Sequence, residues 1–155
     1  RRTHKKLIVI LGPTASGKTD LAIKLAHDFN GEIVSADSRQ VYKEMDVGTA
    51  KPFQRPKTKR KRIYLVKGIP HYLIDIIYPN KEFNAAIYKK LAIKIIKNIQ
   101  KRRKLPFLVG GTGLYISSVI DNLKFPKVAA DKRLRKKLER KSIKELFKIY
   151  KKLDP

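Results

Sequence analysis

The chain contains no cysteine. That excludes a disulfide framework and any thiolate metal centre, and it makes a cytoplasmic protein the simplest expectation. A long apolar run is also missing. The longest, Leu7 to Leu11 ("LIVIL"), falls far short of the ~20 residues that a membrane-spanning helix needs, so no membrane association is expected. The leading "RRTHKK" sets charge ahead of that run. Five apolar residues closed by Gly-Pro nevertheless read as a first strand rather than a signal peptide. Acidic residues are scarce: 13 Asp and Glu stand against 38 Lys and Arg, a formal net charge of +25. Such an excess attracts polyanions and favours salt-dependent binding of nucleic acid. Lys, Ile and Asn are all abundant, however, a composition that codon bias alone can also produce.

What is present suits a globular chain. A length of 155 residues is one domain's worth, and 42% hydrophobic residues are enough for a core. A domain of that size buries roughly 70% of its unfolded surface. The short apolar run at residues 7–11 predicts a buried strand. Leu21, Ala22, Leu25, Ala26 and Phe29 keep the 3–4 spacing of one buried helix face, predicting a helix over 17–29 that ends at Asn30-Gly31. "EIVSAD" (Glu32 to Asp37) is a second strand, followed by a polar loop to Pro52 with one helical turn at most. Phe53 to Arg62, "FQRPKTKRKR", is basic and interrupted by proline, and is expected to be mobile. Strand-like pieces lie at 63–66 and 72–76.

Asn84 is placed to cap a helix reaching about Arg103, with Ile87, Leu91, Ile95 and Ile99 along one face. Eight Lys or Arg and no acid lie between Lys89 and Lys104. Pro106 to Val109 is another buried strand, closed by Gly110-Gly111, and Thr112 to Asn122 a short helix. Residues 131–153 are helical throughout, and Ser142 with Glu145 forms a capping box that divides them into two helices. Strand, helix, strand, helix, strand, helix predicts an α/β parallel sheet with helices on its faces.

The sharpest motif is Gly12-Pro13-Thr14-Ala15-Ser16-Gly17-Lys18-Thr19. It matches G-x-x-x-x-G-K-[ST] at every fixed position, with a strand before it and a helix after it. Its glycines let amide N–H groups turn inward around an anion, and the helix N-terminus adds partial positive charge. Lys18 brings a full charge to the terminal phosphates, and the Thr19 hydroxyl suits Mg²⁺. The motif leaves the reaction open. A nucleotide hydrolase would carry an apolar strand ending in a metal-holding acid, whereas "PFLV" runs into "GGT". Asp75, at the end of "YLID", could hold a metal or simply form a salt bridge at a strand edge. Asp37 and Thr112 both follow strands whose C-termini share the edge of the phosphate loop, so both should face the bound phosphates.

These segments together resemble one family. "GPTASGKT", "EIVSADSRQVYKEMDVGTAKP", "PHYLID" and "LVGGTGLY" are similar, in order and spacing, to the tRNA dimethylallyltransferases (tRNA isopentenyltransferases), across almost the whole chain. The long "DSRQVYKEMDVGTAKP" stretch is far more specific than the phosphate loop. The resemblance implies a P-loop NTPase-like α/β core over 1–127, and over 128–155 the beginning of an all-helical tRNA-binding insertion domain. It implies transfer of a dimethylallyl group from dimethylallyl diphosphate to N6 of the adenosine 3′ of a tRNA anticodon, with Mg²⁺ and release of diphosphate. The partner would be the anticodon stem-loop of tRNA, and a monomer is expected.

Carried over by position, the resemblance makes Asp37 the general base. Lys18 and the loop Gly12 to Thr19 hold the diphosphate, with Thr19 on the metal. Ser38, Arg39, Gln40 and Thr112 become tRNA-side residues, Thr112 also lying at the catalytic centre. Arg135 is matched more loosely to an arginine at the entry to the helical domain.

There are departures. The family reads two histidines where this chain has His71-Tyr72, and His71 is expected to be structural. The basic 55–62 stretch is longer than the family pattern and could touch tRNA phosphates. The family also continues well beyond "LDP", so the chain is expected to be a fragment or a short relative. Rival readings are an adenylate isopentenyltransferase acting on free adenine nucleotide, a small-molecule P-loop kinase, and a nucleic-acid-binding module without activity.

Overall fold

A computed structural model describes residues 6–52, 63–126 and 131–154. Contacts divide the chain into two compact units, residues 1–124 and 125–155. The first is built on five strands: β1 (Ile8–Leu11), β2 (Gly31–Ser35), β3 (Tyr64–Val66), β4 (Ile69–Tyr72) and β5 (Leu105–Gly110). Its helices are α1 (Lys18–Asp28), α2 (Ala85–Lys101) and α3 (Gly113–Ile120). The sheet order is β1-β5-β2-β4-β3. The pairs β1–β5, β5–β2 and β2–β4 are parallel, so the α/β expectation holds for the sheet's main part. The edge strand β3 runs antiparallel to β4.

The β3–β4 hairpin corrects the expected strand at 72–76. Val66 pairs with Ile69 across a two-residue loop, Lys67-Gly68, in which both φ values are positive (49° and 81°). That is the conformation two-residue hairpins favour, and Gly68 adopts it without steric cost. It starts β4 at Ile69. Leu73 and Asp75 then take φ of 63° and 54°, which takes the apolar "LIDII" out of strand conformation.

Alternation along the strands divides the core. Ile33, Phe107 and Val109 pack with Ala22, Ile23 and Ala26 of α1, with Leu25 partly buried beside them. Of the face expected from the 3–4 spacing, Ala22, Leu25 and Ala26 turn inward, whereas Leu21 and Phe29 are exposed and Ile23 takes their place in the core. The opposite parity, including Val34 and Leu108, belongs to the face covered by α2 and α3. The Asn84 side chain caps α2 by accepting from Ile87 N–H at 3.0 Å. The second unit holds α4 (Lys132–Glu139), capped by Asp131, and α5 (Ile143–Leu153), whose Ser142–Glu145 capping box is formed in both directions. Neither helix contains a buried residue.

Candidate active site

Parallel strands bring the C-termini of β1, β5 and β2 to one edge of the sheet, where a crevice of about 710 Å³ opens. Ligand pockets usually fall within ~300–1,000 Å³. The phosphate-type loop forms one wall, from Pro13 through Thr19. Gly17 is the N-cap of α1 with φ 75°, and Ala15 is also left-handed at 64°. Such alternation turns successive amides towards a common concavity. Ser16 Oγ donates to Pro13 O at 2.8 Å, and Lys18 Nζ donates to the same carbonyl at 2.7 Å. Gly12 N–H reaches Gly110 O at 3.4 Å, tying the loop to the end of β5.

Asp37, Ser38, Arg39 and Gln40, which follow β2, also line the crevice, as does Thr112 at the start of α3. Asp37 Oδ1 accepts the backbone N–H groups of Arg39 (2.8 Å) and Gln40 (3.3 Å), so the carboxylate shapes the turn it stands on. Thr112 does not cap its own helix with its side chain. Its Oγ1 accepts from Ser38 N–H at 3.0 Å, while its N–H donates to Ala36 O at 3.1 Å. These two bonds join the β5–α3 loop to the Asp37 turn. Gly110 is required for that approach, since a Cβ there would lie 2.2 Å from Ala36 O. The crevice thus gathers the predicted residues from Gly12 to Thr112 with two exceptions: Gly12, tied to the end of β5, and Ser16, bonded within the loop, do not line it. Arg135 belongs to the second unit, exposed on α4.

Two bracing roles escape a reading of the sequence, one of them at Gln40, a residue expected only on the tRNA side. Gln40 accepts from Ser35 Oγ (3.0 Å) and donates to the carbonyls of Thr49 (3.1 Å) and Ala50 (3.2 Å), clamping both ends of the 38–52 loop. Lys51, its side chain only 5% exposed, donates to Tyr42 O at 2.5 Å and forms ion pairs with Asp46 (3.3 Å) and Asp75 (2.6 Å). Asp75 also accepts from the Tyr64 hydroxyl. It is thus the salt-bridging acid of the two readings the sequence allowed, and it is absent from the described residues that line the crevice.

Behind the Asp37 turn, the buried Tyr88 hydroxyl donates to Ser35 O at 2.9 Å, and its ring stacks on Tyr115 at 4.0 Å. Burial, then nearby Tyr42 and Asp37, push the Tyr115 phenol up from its ordinary value. His71 is buried, with Nδ1 2.9 Å from Ile69 O. That carbonyl can only accept, so the ring proton sits on Nδ1, and Nε2 finds no partner among the described residues. Burial lowers the His71 pKa.

A second charged cluster lies under α2, away from the crevice. Glu32, 1% exposed, accepts two 2.6 Å bonds from Arg102, one of 2.7 Å from the Tyr72 hydroxyl, and pairs with Lys104 at 2.9 Å. Burial alone would raise its pKa. The bonds from Arg102, Tyr72 and Lys104 outweigh burial and hold the carboxyl at about 2. Burial and this carboxylate push the Tyr72 phenol up to about 12.

A glycine-rich loop between the first strand and its helix, on a mainly parallel sheet with its crevice at the strand C-termini, defines a P-loop α/β protein. A family model described as IPP transferase matches residues 40–155, beginning beyond the phosphate loop itself. The chain belongs to the IPP transferase family. A tRNA dimethylallyltransferase of Acetivibrio thermocellus is 53% identical over 136 residues, covering 88% of this chain and 41% of the relative. That of Halothermothrix orenii is 50% identical over 156 residues, covering 98% and 45%. Among solved structures, the full-length tRNA isopentenylpyrophosphate transferase of Bacillus halodurans superposes with a TM-score of 0.70 at 42% identity, covering 98% of this chain and 48% of that one. A eukaryotic dimethylallyltransferase acting on tRNA gives 0.76 at 30% identity, covering 98% and 36%. The chain therefore spans less than half the length of these relatives.

Proposed function

We propose that this chain carries the diphosphate-binding and amine-activating centre of a tRNA dimethylallyltransferase. The reaction moves a dimethylallyl group from dimethylallyl diphosphate to N6 of the adenosine 3′ of the tRNA anticodon. The observation that carries this reading is that Lys18 and Asp37 line the same crevice.

The chemistry needs two opposed groups. The bond from N6 to the allylic carbon forms while the bond from that carbon to the diphosphate oxygen breaks. The electron pair leaves with the diphosphate. The amine is a weak nucleophile because its lone pair is shared with the purine ring. A carboxylate accepting its N–H raises the electron density on nitrogen, then takes the proton. Asp37 is the acid for that step. Oδ1 is held by two backbone N–H groups, which fixes the direction of the remaining oxygen. Lys18 and the inward amides of the loop stabilise the negative charge that grows on the departing diphosphate. Thr112 fixes Asp37 through Ser38.

Among the described residues no cluster of three or more His, Asp or Glu could cage a metal. Mg²⁺ needs none, since it retains waters and is shared with substrate phosphates. The exposed Thr19, in the first turn of α1 on the crevice wall, fits as its protein ligand. Bound there, Mg²⁺ would supply charge neutralisation of the leaving diphosphate. The adenine must leave its stack to enter such a crevice.

The test is incubation with radiolabelled dimethylallyl diphosphate, Mg²⁺ and unmodified tRNA. Label in the RNA fraction is expected. Label in AMP but not in tRNA would assign the adenylate reaction, and transfer from γ-labelled ATP would assign a kinase. No described helix is long and apolar enough to cross a membrane. A cytoplasmic monomer remains the expectation for localisation and assembly.

A further inference from the structure

Helix α2 sorts its cations into two sets. Of the eight between Lys89 and Lys104, three have internal partners. Lys89 donates to Asn122 and Leu123 O, and Arg102 and Lys104 pair with Glu32. Lys90, Lys94, Lys97 and Lys101 on the helix are instead all exposed, as is Arg103 just beyond its end. All thirteen acids of the chain lie within the described residues. None of them forms an ion pair with these four lysines.

Helical spacing makes the four a stripe. At ~100° per residue they fall within about 60° of arc, on the side opposite buried Tyr88, Ala92, Ile96 and Ile99. From Lys90 to Lys101 the stripe is about 16 Å long. Lysines three and four apart repel each other along a helix face, and α2 has no acid to relieve them. The helix runs back along the sheet into β5, so its N-terminal end lies towards the crevice edge and Lys101 towards the other.

We propose that Lys90, Lys94, Lys97 and Lys101 form a track for the sugar-phosphate backbone of the RNA, a contact surface beyond the crevice. It rests on the reading that tRNA is the acceptor. The track reads no sequence. It neutralises phosphates, and so holds the helical stem while the loop enters the crevice.

The experiment measures binding of unmodified tRNA by the full chain across a salt series, without turnover. One variant replaces the four lysines with Gln. A control replaces four scattered exposed lysines, Lys24, Lys67, Lys81 and Lys124, with Gln. Each phosphate contact contributes ~0.7–0.9 to the slope of log K against log salt. The stripe variant should therefore lose about three from that slope, and the control less than one. Lys→Arg at all four stripe positions should restore it. Gln is a good helix former at exposed positions, and a thermal melt checks the fold. Equal losses in both variants, no loss in either, or no tRNA binding by the wild type would overturn the proposal. So would weakened binding to phosphatidylserine vesicles with an unchanged tRNA slope. Prenyl transfer is scored separately, so its absence alongside the slope change would sink the reaction and leave this surface standing.

Discussion

The backbone N–H of Ser38 donates to Thr112 Oγ1 at 3.0 Å, joining residues 74 positions apart that line one crevice. The carboxylate proposed as the base sits one residue before this latch, so its aim depends on the Thr112 hydroxyl. Thr112→Val removes the acceptor and should cost about 1 kcal/mol of local stability. Amide exchange at Ser38 should quicken and prenyl transfer fall about five-fold, while Thr112→Ser behaves as wild type. Unchanged exchange in the valine variant would mean that the latch is not formed in solution.

Lys51 is the brace of the 38–52 loop, buried between Asp46, Asp75 and the Tyr42 carbonyl. Removing one partner of a buried ion pair costs about 3–5 kcal/mol. Lys51→Ala should lower stability to urea by about 3 kcal/mol, because Asp75 keeps the Tyr64 hydroxyl. Hydrogen exchange should rise across 40–51. A loss under about 1 kcal/mol, the range of surface pairs, would contradict this role.

Much of this architecture is legible in the residues. The phosphate loop declares itself because glycine, lysine and threonine at fixed spacing have few other uses between a strand and a helix. The α4–α5 break follows from the Ser142 capping box. Periodicity locates α1 and α2 but does not fix their faces. On α2 the buried set runs through Tyr88, Ala92, Ile96 and Ile99 rather than Ile87, Leu91, Ile95 and Ile99, because small Ala92 lets the helix approach the sheet while the longer chains flank the contact. The strand at 69–72 is hidden, because the apolar run that resembles a strand lies just beyond it and turns out through left-handed residues at Leu73 and Asp75. The bracing roles of Gln40 and Lys51 stay hidden for a different reason. A polar side chain inside a loop looks the same in sequence whether it faces a ligand or the loop's own carbonyls. The basic 55–62 stretch lies outside the described residues.

Acid stability should report on Glu32. Its folded pKa of about 2 lies below the ordinary 4.5. The unfolded chain therefore takes up the proton first as pH falls. The stabilisation is fully present above pH 4.5 and disappears between 4.5 and about 2. Urea titrations in that window should show wild type losing stability with falling pH, and Glu32→Gln losing less. Parallel slopes for the two proteins would show that Glu32 is not the group held down.

The most direct measurement is single-turnover prenyl transfer by Asp37→Asn beside binding of dimethylallyl diphosphate. Asparagine retains an oxygen to accept from Arg39 and Gln40, so the turn survives while the base is lost. The account predicts transfer slower by ~10²–10⁴-fold, the usual reach of a general base, with diphosphate binding unchanged. Full-rate transfer by the Asn variant would contradict it.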